Sequence, residues 1–146
     1  MPGVLKSAAI GWASGARSSA GLAAILVPRG EFAHRARYGR ARESAALVAV
    51  SGELTVDKLP MTPSRLQPVA LLVRLAVGAA AGASLARRAD RPVFVAGSVA
   101  ALAAWGASVG GVRWRELAAA RTGSDWPGAL AEDFTALAVA HWAVQE

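Results

Sequence analysis

An all-α polytopic transmembrane bundle of four to five spans is the fold class this chain predicts, and three observations predict it. The run from Pro92 to Val112 contains no charged residue, and at about 1.5 Å of rise per residue it can cross the roughly 30 Å hydrocarbon core of a bilayer. Other apolar segments recur on both sides of it, separated by short basic or proline-rich connections. The apolar mass is mostly Ala, Val, Leu and Gly, with only 6% aromatic residues; small side chains let helices approach closely where lipid removes the hydrophobic drive between them. A single integral membrane domain accounts for residues 1–146, because four or five spans consume most of the chain.

The first predicted span covers about 4–27 and ends at Pro28, where a helix is expected to stop. Lys6 ahead of an apolar stretch has the outline of a signal peptide, but Arg17 interrupts the stretch, which continues to Val27, so an uncleaved span is expected. The next connection holds Arg29, Arg35, Arg37, Arg40 and Arg42 against Glu31 and Glu43, which reads as cytoplasmic. A second span, about 44–59, is short, and its latter half carries Glu53, Asp57 and Lys58, so it is expected to line protein or water rather than lipid. It leads into the rigid Pro60–Pro68 connection, which contains Pro60, Pro63, Ser64 and Arg65.

A third span, about 68–85, closes on Arg87, Arg88 and Arg91, again basic and so cytoplasmic. The fourth, 92–112, is followed by Arg113-Trp114-Arg115-Glu116 and a mixed stretch to Trp126-Pro127, where an interfacial helix with Trp anchors is expected. A fifth, about 128–144, opens with Glu132 and Asp133 and contains His141. Five crossings put the N-terminus outside and both Arg-rich connections inside, although Arg113, Arg115 and Arg121 then lie outside. The competing topology has four crossings, with the first segment folded as a re-entrant hairpin broken near Arg17. Gly52-Glu53-Leu54-Thr55 also resembles Ala131-Glu132-Asp133-Phe134-Thr135, which suggests an inverted repeat of the kind that places solutes at the midplane of transporters.

Arg17, Glu53, Asp57, Arg74, Glu132 and Asp133 lie inside apolar segments, where each ionisable residue costs about 2.5–3.5 kcal/mol on insertion scales, so each needs a partner or a purpose. Glu53 and Asp57 are four apart and share a helix face, and Arg17, too near mid-span to snorkel easily, is their expected partner. The expected buried polar site comprises Arg17, Glu53, Asp57, Lys58, Arg65, Glu132 and Asp133. It serves either a proton, a cation or a small polar solute, or it only fixes helix register. Asp133, Leu137 and His141 fall on one stripe, and Glu132, Asp133 and His141 together with Glu53 and Asp57 could ligate a divalent cation. The alternative has Glu132 and Asp133 capping the helix start beside the positive end of its dipole. Whether any metal is held is left open, and no cofactor is implied.

Spacings Gly11-x-x-x-Gly15, Gly78-x-x-x-Gly82 and Gly106-x-x-x-Gly110 predict close helix crossings, within a protomer, in a homo-oligomer or in a larger membrane complex. Sixteen Lys and Arg against ten Asp and Glu give a net charge of +6. The positive residues lie between apolar runs, so membrane lipid rather than nucleic acid is the expected partner. No cysteine is present, which excludes disulfides and thiolate chemistry. Gly106-Ala107-Ser108-Val109-Gly110 matches the nucleophile-elbow pattern, but it lies in a helical run where strand, turn and helix are required, and no other motif points to an enzyme.

The stretch Gly52-Glu53-x-x-x-Asp57-Lys58-Leu59-Pro60-x-x-Pro63-Ser64-Arg65, with Ser14-Gly15-x-Arg17-Ser18 and Ala131-Glu132-Asp133, resembles an uncharacterised bacterial membrane family, domain of unknown function forty-one twenty-six. The resemblance covers nearly the whole chain. It implies a multi-pass protein of the bacterial inner membrane and carries no activity with it. After Arg17-Ser18 this chain continues with the small Ser19-Ala20, where the family pattern is looser and sometimes bulkier. Taken together, the expectation is a transporter or channel-like protein, with a non-catalytic accessory or structural subunit as the alternative.

Overall fold

The computed structural model describes residues 2–26, 67–124 and 126–145. These residues form five helices: α1 (Pro2–Ala16), α2 (Ser18–Leu26), α3 (Pro68–Arg88), α4 (Val93–Thr122) and α5 (Trp126–Ala143). Among them α3, of 21 residues, and α4, of 30, are long and apolar enough to cross a membrane. The described residues thus hold two candidate crossings where four to five spans were expected. The segment 44–59 lies outside the described residues, and with it one arm of the suggested repeat. α5 forms where the fifth span was expected, but Glu132, Asp133 and His141 lower its hydropathy and it is not among the two.

The first apolar segment is not one span. α1 stops at Ala16 and α2 begins at Ser18. In a continuous helix Ser14 and Gly21 would be separated by about 10 Å of rise, yet a Cβ on Gly21 would collide with Ser14 Oγ. The chain therefore bends sharply at Arg17, as the competing topology anticipated. The sequence Ser14-Gly15-Ala16-Arg17-Ser18-Ser19 permits this, since serines offer the backbone local alternatives to helical bonding and Gly weakens a helix interior.

Pro68 opens α3 at a position where its missing N–H costs nothing. The helix closes with Ala89 N–H donating to Ala86 O at 3.1 Å and Arg91 N–H to the same oxygen at 2.9 Å. Asp90 takes the left-handed conformation there, φ 50°, which a short polar side chain tolerates. This tight turn sets α4 beside α3. The expected interfacial helix after Val112 is instead a continuation of α4, because Leu117-Ala118-Ala119-Ala120 are strong helix formers and the first breaker is Gly123. Gly123 ends the helix at φ 70°, its N–H donating to Ala119 O at 2.9 Å.

α1 is the hub of the bundle and packs on α3, α4 and α5. Its glycines make this possible: a Cβ on Gly11 would collide with the backbone of Ala100, and one on Gly15 with the backbone of Ala104. From the other side Gly78 and Gly82 of α3 face the same two alanines, with a Cβ at 3.0 Å from Ala104 Cβ and 2.5 Å from Ala100 Cβ respectively. Two glycine pairs thus grip one alanine pair. Gly106 and Gly110 do not join them, since nothing lies within 4 Å of a Cβ at either; at 3.6 residues per turn they stand about 200° and 240° around α4 from Ala104, away from the face that meets α1 and α3. Gly106→Ala is therefore expected to leave stability unchanged or raise it by up to about 1 kcal/mol, the helix-propensity gain, as read by thermal unfolding in detergent.

Size is distributed from inside to outside. Among the described residues the core is Ala, Gly and Ser around Ile10, and the largest fully buried side chain is Arg17. Phe94, Phe134 and Val69 lie outside at 86%, 78% and 74% exposure.

Candidate functional site at the helix break

Where α1 gives way to α2, the backbone bonding shifts register. Arg17 N–H donates to Ala13 O at 2.7 Å, but Ala20 N–H turns to Arg17 O at 3.0 Å, where a continuous helix would send it to Ala16 O. The carbonyls at the end of α1 then need other donors. Arg74 of α3 supplies them, Nη1 donating to Gly15 O at 2.8 Å and to Ala16 O at 3.0 Å. Ser108 of α4 adds its hydroxyl, shared between Ala104 O at 2.9 Å and Gly15 O at 3.2 Å. In broken membrane helices such carbonyls coordinate monovalent cations. Here a guanidinium borne by the protein occupies that position and also complements the negative end of the α1 dipole.

Arg17 itself is 1% exposed. Its Nε donates to Asp133 Oδ1 at 2.6 Å, and its Nη2 donates to the same oxygen. Asp133 is 7% exposed and sits in the second turn of α5. Its neighbour Glu132, also 7% exposed, accepts from Arg115 Nε of α4 at 3.1 Å. Two successive carboxylates therefore tie α5 to the break and to α4. Among the described residues no buried side-chain nitrogen or oxygen lacks a hydrogen-bond partner.

Several sequence expectations are revised by this arrangement. Glu132 and Asp133 do not cap their helix: α5 begins at Trp126, its first turn holds no acid, and both carboxylates point into the bundle. The stripe Asp133, Leu137, His141 does not face one surface. Eight residues advance about 80° beyond two full turns, so Asp133 is buried while Leu137 and His141 are exposed, and His141 bonds Gln145 at 2.9 Å. No group of three or more His, Cys, Asp or Glu that could hold a metal occurs among the described residues. Ser108, the serine of the elbow-like pattern, is buried in mid-helix and bonded to backbone carbonyls.

Glu53, Asp57, Lys58 and Arg65 lie outside the described residues. Of the expected polar site the described part is Arg17, Glu132 and Asp133. Arg74, expected to need a partner inside its apolar segment, belongs with them, and so do Arg115 and Ser108, which are not among the sequence expectations. For Arg74 a signal existed: it stands four and eight residues before Gly78 and Gly82, on the face that packs inward. Arg115 had no such signal, because it follows the apolar run among other exposed charges.

Compared with known proteins, the chain matches no family model, no curated protein and no solved structure.

Proposed function

We propose that the chain is a small multi-pass protein of the bacterial inner membrane that moves a proton or a small polar solute, with the Arg17–Asp133 pair at the helix break as its working centre. The observation that carries the reading is the break itself, an interrupted helix whose unwound turn buries charged side chains and backbone carbonyls in the middle of the bundle. Irregular backbone at membrane depth is tolerated where protein or a polar cavity surrounds it, and discontinuous helices of this kind build solute sites. The inside-out distribution of side chains supports the membrane setting, since small and charged groups lie within and Phe94, Phe134 and Val69 without. The family resemblance points to the same compartment. Arg74 already holds the carbonyls a cation would need, which favours protons and neutral or zwitterionic solutes over metal cations. Glu53 and Asp57 remain part of the proposed pathway.

Purified protein in proteoliposomes tests the reading. Proton or solute flux is expected above that of empty vesicles, with a drop of at least about tenfold for Glu53→Gln, the size expected when a general acid–base group is lost. Equal flux in the parent protein, the variant and empty vesicles overturns it. A second reading, a non-catalytic accessory subunit whose charges only fix assembly, is favoured by the dryness of Arg17, which is in direct contact with Asp133. It expects no flux and a larger complex on purification in mild detergent.

A further inference from the structure

Beside the break, a lateral groove of about 250 Å³ separates α4 from α5, with Trp12 and Ala16 of α1 at its base. Gly106, Gly110 and Trp114 form one wall, and Glu132 and Thr135 belong to the other. Three of its polar side chains are already engaged: Trp114 Nε1 donates to Gly128 O at 3.3 Å, Thr135 Oγ1 to Ala131 O at 2.6 Å, and Glu132 accepts from Arg115 at 3.1 Å. What remains is an apolar trough open at Gly106 and Gly110, where nothing lies within 4 Å of a Cβ.

Its position on α4 indicates an occupant. The trough follows the last turns of the uncharged run and ends where Arg113 begins the charged part of the helix. From Gly106 to Trp114 the helix rises about 12 Å, room for the upper part of an acyl chain, and Trp114 stands at the level where indoles meet headgroups. Arg113 and Arg121 are exposed near that end, with Glu116 as the exposed acid on the same helix. A second copy docked about a two-fold axis would bring these basic rims together, whereas a phosphate neutralises them.

The geometry points to a bound anionic phospholipid, one acyl chain in the groove between α4 and α5 and its phosphate at Arg113. This inference rests on the membrane reading above. The test uses protein carrying Trp105→Phe, Trp126→Phe and Trp142→Phe, so that Trp12 and Trp114 report alone, in phosphatidylcholine nanodiscs. A minor fraction of acyl-brominated phosphatidylglycerol is expected to quench this fluorescence as though enriched about fivefold over the same fraction of brominated phosphatidylcholine, the preference one arginine confers at a membrane surface. Arg113→Gln should abolish the preference and leave quenching by either lipid at the random level. Gly110→Leu, which fills the trough, should protect the indoles from both lipids.

Equal quenching by the two lipids in the parent protein overturns the inference, as does quenching unchanged by Gly110→Leu. A dimer in nanodiscs or detergent that Gly110→Leu converts to monomer also overturns it, by assigning the groove to a second copy. Failure of the membrane reading has a separate signature, a chain that stays soluble without detergent and does not enter nanodiscs.

Discussion

Asp133→Ala is expected to destabilise the folded bundle by about 3–5 kcal/mol, the cost of removing one partner of a buried ion pair. Arg17 is held at the break with 1% exposure, and Asp133 Oδ1 accepts from both its Nε and its Nη2. Removing the carboxylate takes from the guanidinium its contact with α5, in a core of Ala, Gly and Ser where the side chain reaches water only if α5 unpacks or the break straightens. Glu132→Ala is the internal comparison. Its partner Arg115 has a side chain 20% exposed and can turn to water, so a loss of about 1–3 kcal/mol is expected, that of a hydrogen bond to a charged group. Denaturant unfolding in detergent micelles reads both. Equal losses for the two variants would contradict the assignment of Arg17–Asp133 as the buried clasp.

Gly15→Ala is expected to cost at least about 3 kcal/mol, the upper end of overpacking. A methyl there meets the backbone of Ala104 rather than a side chain that can turn aside. Relief requires α1 and α4 to separate, which also draws Gly15 O away from Arg74 and Ser108, at 2.8 and 3.2 Å. Gly11→Ala should behave alike through Ala100, while Gly106→Ala should not. Thermal stability of the three alanine variants, measured side by side in one detergent, distinguishes a specific crossing from a general intolerance of glycine replacement. Parent-like stability of Gly15→Ala would mean that α1 and α4 do not meet at this point.

Much of the fold could be read before any coordinates. Pro68 and the basic residues after Leu85 bracket α3 to within a few residues of Pro68–Arg88, and Pro92 marks the start of α4 at Val93. Gly11, Gly15, Gly78 and Gly82 were legible as crossing positions because a four-residue spacing of small residues has few other uses in an apolar helix. Their common target was not singled out. Ala96, Ala100 and Ala104 repeat at the same spacing, but in a chain this rich in alanine the pattern does not stand out as Gly106 and Gly110 do. The end of α4 was misplaced for a similar reason: Arg113 ends the apolar run without ending the helix, because charge does not break helical hydrogen bonding and Gly123 does.

Local composition and the cost of isolating a charge already require that helices of small residues pack closely and that Arg17 find a partner. Which partner it meets among the described residues depends on how the helices are arranged in space. The need of the Glu53 and Asp57 pair for a cation suggests one pairing, which lies outside the described residues, and the bend at Arg17 brings the side chain to Asp133, 116 positions away. The same arrangement lets Arg74 hold the carbonyls the bend releases. The physical reason is that an ion pair depends on distances in space, and those are set by where three helices carrying Gly15, Gly78 and Ala104 can approach, a condition no single segment contains.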